Sequence, residues 1–418
     1  MDKHVFFLYL LLYQFTALKT RPKRQYLDFF SYPKNDTIFF KGERKITREK
    51  EVLKMNINKV NDVYKEIAWL TQEQKNADQR NMQIEECIMQ RPAVPFDNDQ
   101  LNNASRGIAK ILGAAPLEVM ALATLSSMMG LSRDENSQFI SDLVPYTLEY
   151  KAKEVKENPY YKNIKFPTTE IGRFKAVDME MRKGEIFLDQ EPVARGYHRT
   201  DCIGVFDDGF AYPCIFEGDM CWMSITPNEI ITMEEDVDKA TGDVLTIGLG
   251  LGYYAYMVHL KDDVKSVTIV ERQPEVIEIF EKYILPQFEH PEKIHIVNED
   301  AFEYLEQLED GRFDYCFCDI WQNPTDGMED YLHIKKLGNR FEKTTFSYWI
   351  EESFLGLLQT GMTKVFQVEW LDAEDDDLQE FIEYRTMKEL LKDVDVECGM
   401  DVRKMFTSQY LLETLKKL

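Results

Sequence analysis

Three glycines, Gly248, Gly250 and Gly252, follow directly on the short apolar run Val244-Leu245-Thr246-Ile247. Such a run reads as a buried parallel strand. The stretch beyond it, Tyr253 to Leu260, has helical character. A strand, a glycine turn and a helix begin a nucleotide-binding βαβ unit. Glycine has no Cβ, so the turn can be tight and a ligand can lie close on the backbone. The helix start adds free N–H groups. The spacing is GxGxG, not the dinucleotide form GxGxxG, so the glycines alone are a weak signal. The sequel strengthens it. Ser266 to Glu271 reads as a second strand that ends in an acid, 19 residues beyond Gly252. A carboxylate there suits the two hydroxyls of a ribose.

Two further acids stand at strand ends. Ile294 to Val297 is followed by Asn298-Glu299-Asp300-Ala301, and Phe313 to Cys318 stops at Asp319. A fifth strand is expected over 364–370, after a helix over 346–358. Alternating strands and helices imply a parallel sheet with right-handed crossovers. Gly252, Glu271, Asp300 and Asp319 then share the carboxyl edge, where ligands bind in open α/β sheets. The expected class is therefore α/β, a Rossmann-like doubly wound sheet.

Other elements must position this edge. Val60, Val63, Ile67 and Leu70 recur at helical spacing in a helix over 56–90. Helices over 99–112, 117–129 and 135–156 complete an N-terminal helical domain, 55–165. Short alternating runs between Phe174 and Ile225, with turn signals such as Lys183-Gly184, read as β-hairpins. With a helix that Thr226-Pro227 starts, they form a region over 170–240. The cofactor domain follows over 241–370, and a helical tail over 371–418 contains the acidic Asp372–Asp377, read as a solvated turn.

The 418 residues carry a formal net charge of −24, which argues against nucleic acid as the main partner. The seven cysteines are scattered with no CxxC pair, so no metal is expected and a reduced, cytoplasmic protein is. Val5 to Leu18 is apolar but too short to span a bilayer, and no membrane association is expected. Residues 1–54 hold 12 Lys+Arg and 6 Asp+Glu, a net +6 against −30 for the rest. The character changes at Met55. The expectation is that translation starts there and that 1–54 is leader.

Taken together, the glycine loop, Glu271, Asp300-Ala301 and Asp319 resemble the class I S-adenosylmethionine-dependent methyltransferases. The segment Val267 to Ile277 resembles their spermidine synthase-like branch. The resemblance covers about 174–370 and implies S-adenosylmethionine as cofactor. It implies Gly248, Gly250 and Gly252 beside the methionine part, Glu271 on the ribose, and Asp300 with the Ala301 backbone at the adenine. Asp319 would lie beside the sulfonium as the catalytic group, with Trp321 and Tyr254 toward a small-molecule substrate. Three positions depart from the pattern. Thr246 stands where many methyltransferases have an acid. Leu251 and Gln322 replace the two acids that serve amine ends in spermidine synthases, with Asp326 as a displaced substitute. Those losses favour methyl transfer to an unidentified acceptor, a small molecule or amine. Aminopropyl transfer and non-catalytic cofactor binding are the alternatives, and the sequence leaves room for a homodimer.

Overall fold

The computed structural model describes residues 55–418 except 190, 196 and 197. The leader reading of 1–54 lies outside the described residues. Helix α1, Asn61–Ile88, spans two packing centres. Val63, Ile67 and Leu70 enter the main core, whereas Ile84, Cys87 and Ile88 enter a second core. That second core is made with α2, Asp99–Leu112, α3, Pro116–Met128, and α4, Arg133–Leu143. Local chemistry sets these ends. Asn98 accepts from Leu101 N at the start of α2, and the Ser132–Glu135 capping box opens α4. The helix expected over 135–156 stops at Leu143, because Pro145 breaks it. Thr147–Tyr150 is instead a strand, paired in parallel with Ile203–Phe206.

The hairpin region contains a four-stranded antiparallel sheet. Its strands are β1, Thr169–Ile171, β2, Phe174–Met181, β3, Phe210–Glu217, and β4, Met220–Ser224. Helix α5, Pro227–Lys239, leads from it to the parallel sheet.

That sheet has β5, Gly242–Ile247, at its centre. Helix α6, Tyr253–His259, carries the chain to β6, Val264–Glu271. Helix α7, Pro274–Ile279, leads to β7, Ile294–Asn298. After α8, Ala301–Gln307, the chain crosses to the other side of β5 and adds β8, Tyr315–Cys318. Helix α9, Pro324–Gly338, precedes β9, Thr345–Tyr348. The order is β7-β6-β5-β8-β9 and every pairing is parallel. The direction of growth reverses between β5 and β8. That switch point is where a crevice opens at the carboxyl edge.

The last strand corrects the sequence expectation. Residues 346–348, read as the start of a helix, pair with β8, and 364–370, read as a strand, belong to helix α10, Glu351–Leu371. Buried side chains lie all around that helix, from Phe354 through Met362 to Val368. A helix covered on every side is apolar on every side and loses its amphipathic period. The cover comes from α1, from α9, from α11, Ile382–Leu390, and from the last helix, α13, Ser408–Leu415, while the intervening α12, Gly399–Met405, packs on α1. Arg403 of α12 holds Glu66 of α1 through two hydrogen bonds of 2.6 and 2.9 Å. The acidic Asp372–Asp377 stretch is more than a solvated turn: Asp375 accepts from Gln379, Tyr384 and Lys388. Among the described residues no single helix is long and apolar enough to cross a membrane.

Candidate functional site

Strands β5 and β8 deliver Gly248 and Asp319 side by side. Asp319 N donates to the Ile247 carbonyl at 2.8 Å, extending the β5–β8 pairing past the strand ends. Gly248 has φ +100, and a Cβ there would lie 2.0 Å from the Asp319 carbonyl oxygen. Only glycine lets the two chain segments meet so closely. Tyr160, from the short helix Pro159–Asn163 before the hairpin region, donates to the Leu251 carbonyl at 2.7 Å and pins the loop from outside.

Glu271 ends β6 and is buried. Its Oε2 accepts from Leu249 N at 3.1 Å and its Oε1 from Gln273 N at 2.7 Å. The carboxylate is thus anchored in the glycine loop, and each oxygen keeps a lone pair for a further donor. Burial raises its pKa, against the lowering by those backbone donors.

A cavity of about 20 Å³ lies in the crevice, room for about one water. Gly248, Tyr254 and Asp319, three of the residues singled out in the sequence, line it. Tyr254 stacks on Phe317 of β8 at 4.2 Å and forms one wall. Glu229, in the first turn of α5, lines it as well. Burial pushes Asp319 up to about 7, and the nearby Glu271 charge adds to this. Burial likewise raises Glu229 well above the usual range, with a contribution from Asp319. Glu229, Asp319 and Glu271 therefore act on one another in sequence. The cavity lining contains no Lys, Arg or His. Uncompensated carboxylates in a dry crevice favour a cation.

Other sequence-predicted residues lie elsewhere. Asp300 is the N-cap of α8 and accepts from Phe302 N and Glu303 N at 2.9 and 3.4 Å; Ala301 is buried in the first turn. Both remain at the carboxyl edge, outside the cavity lining. Trp321, expected to face the substrate, is in the core. Its indole N–H donates to the Trp349 carbonyl at 3.1 Å, and its ring meets Tyr331 and Phe354 edge-on. Helix α9 packs so closely that a Cβ on Gly327 would lie 2.4 Å from Trp321 Cβ. Asp326, the expected substitute acid, is used in the capping box of α9 by accepting from Asn323 N at 2.9 Å. Asn323 and Pro324 open that helix as its N-cap and first residue. Gly250 and Gly252 pack against the chain's own side chains, Met223 and Phe280.

Sequence reasoning missed Glu229 and Met223. Glu229 follows Thr226-Pro227, and an acid in a first turn serves the helix dipole in most proteins. No local signal separates that role from one facing a crevice.

Raised carboxyl pKa values have a consequence for stability. Asp319, Glu191 and Asp201 are each pushed up to about 7, mainly by burial. Between the ordinary carboxylate range and 7, the folded chain binds more protons than the unfolded one. Stability therefore falls as pH rises through that window. The melting temperature is expected to be lower at pH 8 than at pH 6, and Asp319→Asn to narrow the difference. Equal melting temperatures of the parent at the two pH values would contradict this.

Residues 227–337 match the spermine/spermidine synthase domain. The matched segment contains Glu229, the glycine loop, Glu271, Asp300 and Asp319, and begins where α5 begins. No curated protein matches the chain. Among solved structures, a spermidine synthase from Thermotoga maritima is 18% identical, with a TM-score of 0.26, over 34% of this chain and 52% of its own. A conserved hypothetical protein from Streptococcus pyogenes is 17% identical, with a TM-score of 0.22, over 26% and 64%. A precorrin 8w decarboxylase from Methanobacterium thermoautotrophicum is 16% identical, with a TM-score of 0.21, over 27% and 56%. This chain thus spans between about half and two thirds of their lengths, and likenesses at these scores carry no argument about activity.

Proposed function

We propose that this chain transfers an aminopropyl group from a decarboxylated S-adenosyl sulfonium to an amine. One observation carries the reading: the crevice beside the glycine loop is lined by Glu229 and Asp319 and by no cationic side chain. The methionine tail of S-adenosylmethionine would bring its own carboxylate toward two others. A decarboxylated tail brings only positive charge. Glu229 also answers the objection raised by Leu251 and Gln322, because α5 supplies the second acid from a different element.

The residues present fit such a group. Glu271 would hold the ribose hydroxyls with its remaining lone pairs, and Asp300 with the Ala301 N–H would meet the adenine. When bound, the sulfonium supplies the leaving group: its carbon–sulfur bond breaks with the electron pair going to sulfur as the amine nitrogen bonds to that carbon. Asp319, with a pKa near neutrality, is suited to accept the proton that the amine then loses. Burial favours the neutral form of Glu229, and an ammonium entering beside it would draw off the proton and leave the carboxylate as its counter-charge. Tyr254 and Phe317 exclude water from one side. Methyl transfer is the second reading, favoured by the absence of acids at Leu251 and Gln322.

Calorimetry separates the two. Decarboxylated S-adenosylmethionine is expected to bind at least about tenfold tighter than S-adenosylmethionine, about 1.4 kcal/mol, from removal of like-charge repulsion. Glu271→Ala is expected to cost either ligand roughly 1–3 kcal/mol, as hydrogen bonds to a charged group are lost. Tighter binding of the carboxylated form would turn the reading to methyl transfer.

A further inference from the structure

The Met223 side chain lies across the glycine loop at Gly250. A Cβ built on Gly250 would sit 2.1 Å from Met223 Sδ and 2.4 Å from its Cε. The thioether therefore rests directly on the Gly250 backbone. What remains beside it is the space of about one water. Three features of β4 put it there. The β3–β4 register slips between Cys221 and Met223, so a bulge re-aims the side chain. Cys221 is paired with Phe216 on one side of the bulge. On the other side, Ile225 N donates to the Pro213 carbonyl at 3.0 Å. The backbone is held on both sides, while an unbranched thioether keeps three rotatable bonds. Met223 is only half-buried, which leaves it a way out.

We propose that Met223 is a movable stopper: its thioether fills the ligand trough over Gly250, and the site takes a ligand only when that side chain swings away. The proposal rests on the functional reading above, in that the trough is taken to be the sulfonium site. Apparent affinity is lowered by the fraction of molecules with the stopper in place.

The test measures binding of trimethylsulfonium and of decarboxylated S-adenosylmethionine to the parent, Met223→Ala and Met223→Leu, with circular dichroism to check folding. Met223→Ala is expected to bind both ligands about tenfold tighter or more, as the closed fraction is abolished. Met223→Leu, which keeps the bulk, should stay near the parent. In the parent labelled with ¹³C-methyl methionine, the Met223 resonance, assigned by its loss in Met223→Leu, should shift on ligand addition. That readout needs no Ala variant to fold. Equal affinities in the parent and Met223→Ala with the nucleoside bound would overturn the stopper and leave the sulfonium reading intact. A gain for trimethylsulfonium alone would keep the stopper and sink the nucleoside. No binding by any variant, or an unmoved Met223 resonance at saturation, would remove the stopper.

Discussion

Asp319→Asn is expected to lower turnover with an amine acceptor by about 10²–10⁴-fold, the usual worth of a positioned general base. The two side chains are nearly isosteric, so the Asp319 backbone contacts with Ile247 and Gly248 remain. What disappears is the ability to take a proton. A carboxyl pushed up to about 7 is half ionised near neutrality, which places it where proton transfer is efficient. The rate of the parent should rise with pH through about 7, while the Asn variant should show a flat profile over the same range. Glu229→Gln should weaken amine binding instead, raising KM more than it lowers kcat, because Glu229 is assigned a counter-charge role. Asp319→Asn with activity within about twofold of the parent would remove Asp319 from the chemistry. Loss of folding in that variant is not expected, since the substitution removes a charge that burial disfavours.

Much of this edge was legible in the sequence for one reason. In a parallel sheet, each strand is a short apolar run and each carboxyl end is abrupt, so Glu271, Asp300 and Asp319 stand out against their strands. The glycine spacing marks the switch point because β5 and β8 approach there more closely than any side chain allows. Features outside the strand period were not legible. The α10 segment is buried all around, and its apolar residues near Val365 and Phe366 carry no period to distinguish helix from strand. Trp321 stands two residues from Asp319, and the family resemblance placed it at the site. The turn into α9 instead sends its indole beneath Gly327. Glu229 and Met223 reach the crevice from elements that precede the glycine loop, through tertiary packing that no local pattern records. The same packing engages Asp326 as a helix cap, a role that spacing alone does not reveal.

Gly248→Ala is expected to abolish folding of the parallel-sheet region, whereas Gly250→Ala should leave it folded. The two glycines are adjacent in the motif and have the same formal role, but different atoms surround them. At Gly248 the new Cβ would lie 2.0 Å from the Asp319 carbonyl oxygen and 3.0 Å from its carbonyl carbon. Those are backbone atoms of the segment hydrogen-bonded to Ile247, so relief would require parting β5 from β8. The φ of +100 lies well outside the left-handed well that side chains can use. Overlap and strain together should exceed about 4–5 kcal/mol, the range reserved for disruptive substitutions and a large share of a domain's stability. At Gly250 the φ of +52 falls inside the left-handed well, with a cost of about 1–2 kcal/mol. The overlapping atoms there are the Sδ and Cε of Met223, the far end of a flexible side chain. That side chain can turn away, so the Gly250→Ala protein should fold with its thioether displaced. Urea unfolding of the two variants decides the matter: a cooperative transition for Gly248→Ala, within about 2 kcal/mol of the parent, would mean that β5 and β8 tolerate separation at the switch point and that the crevice is far softer than its packing implies.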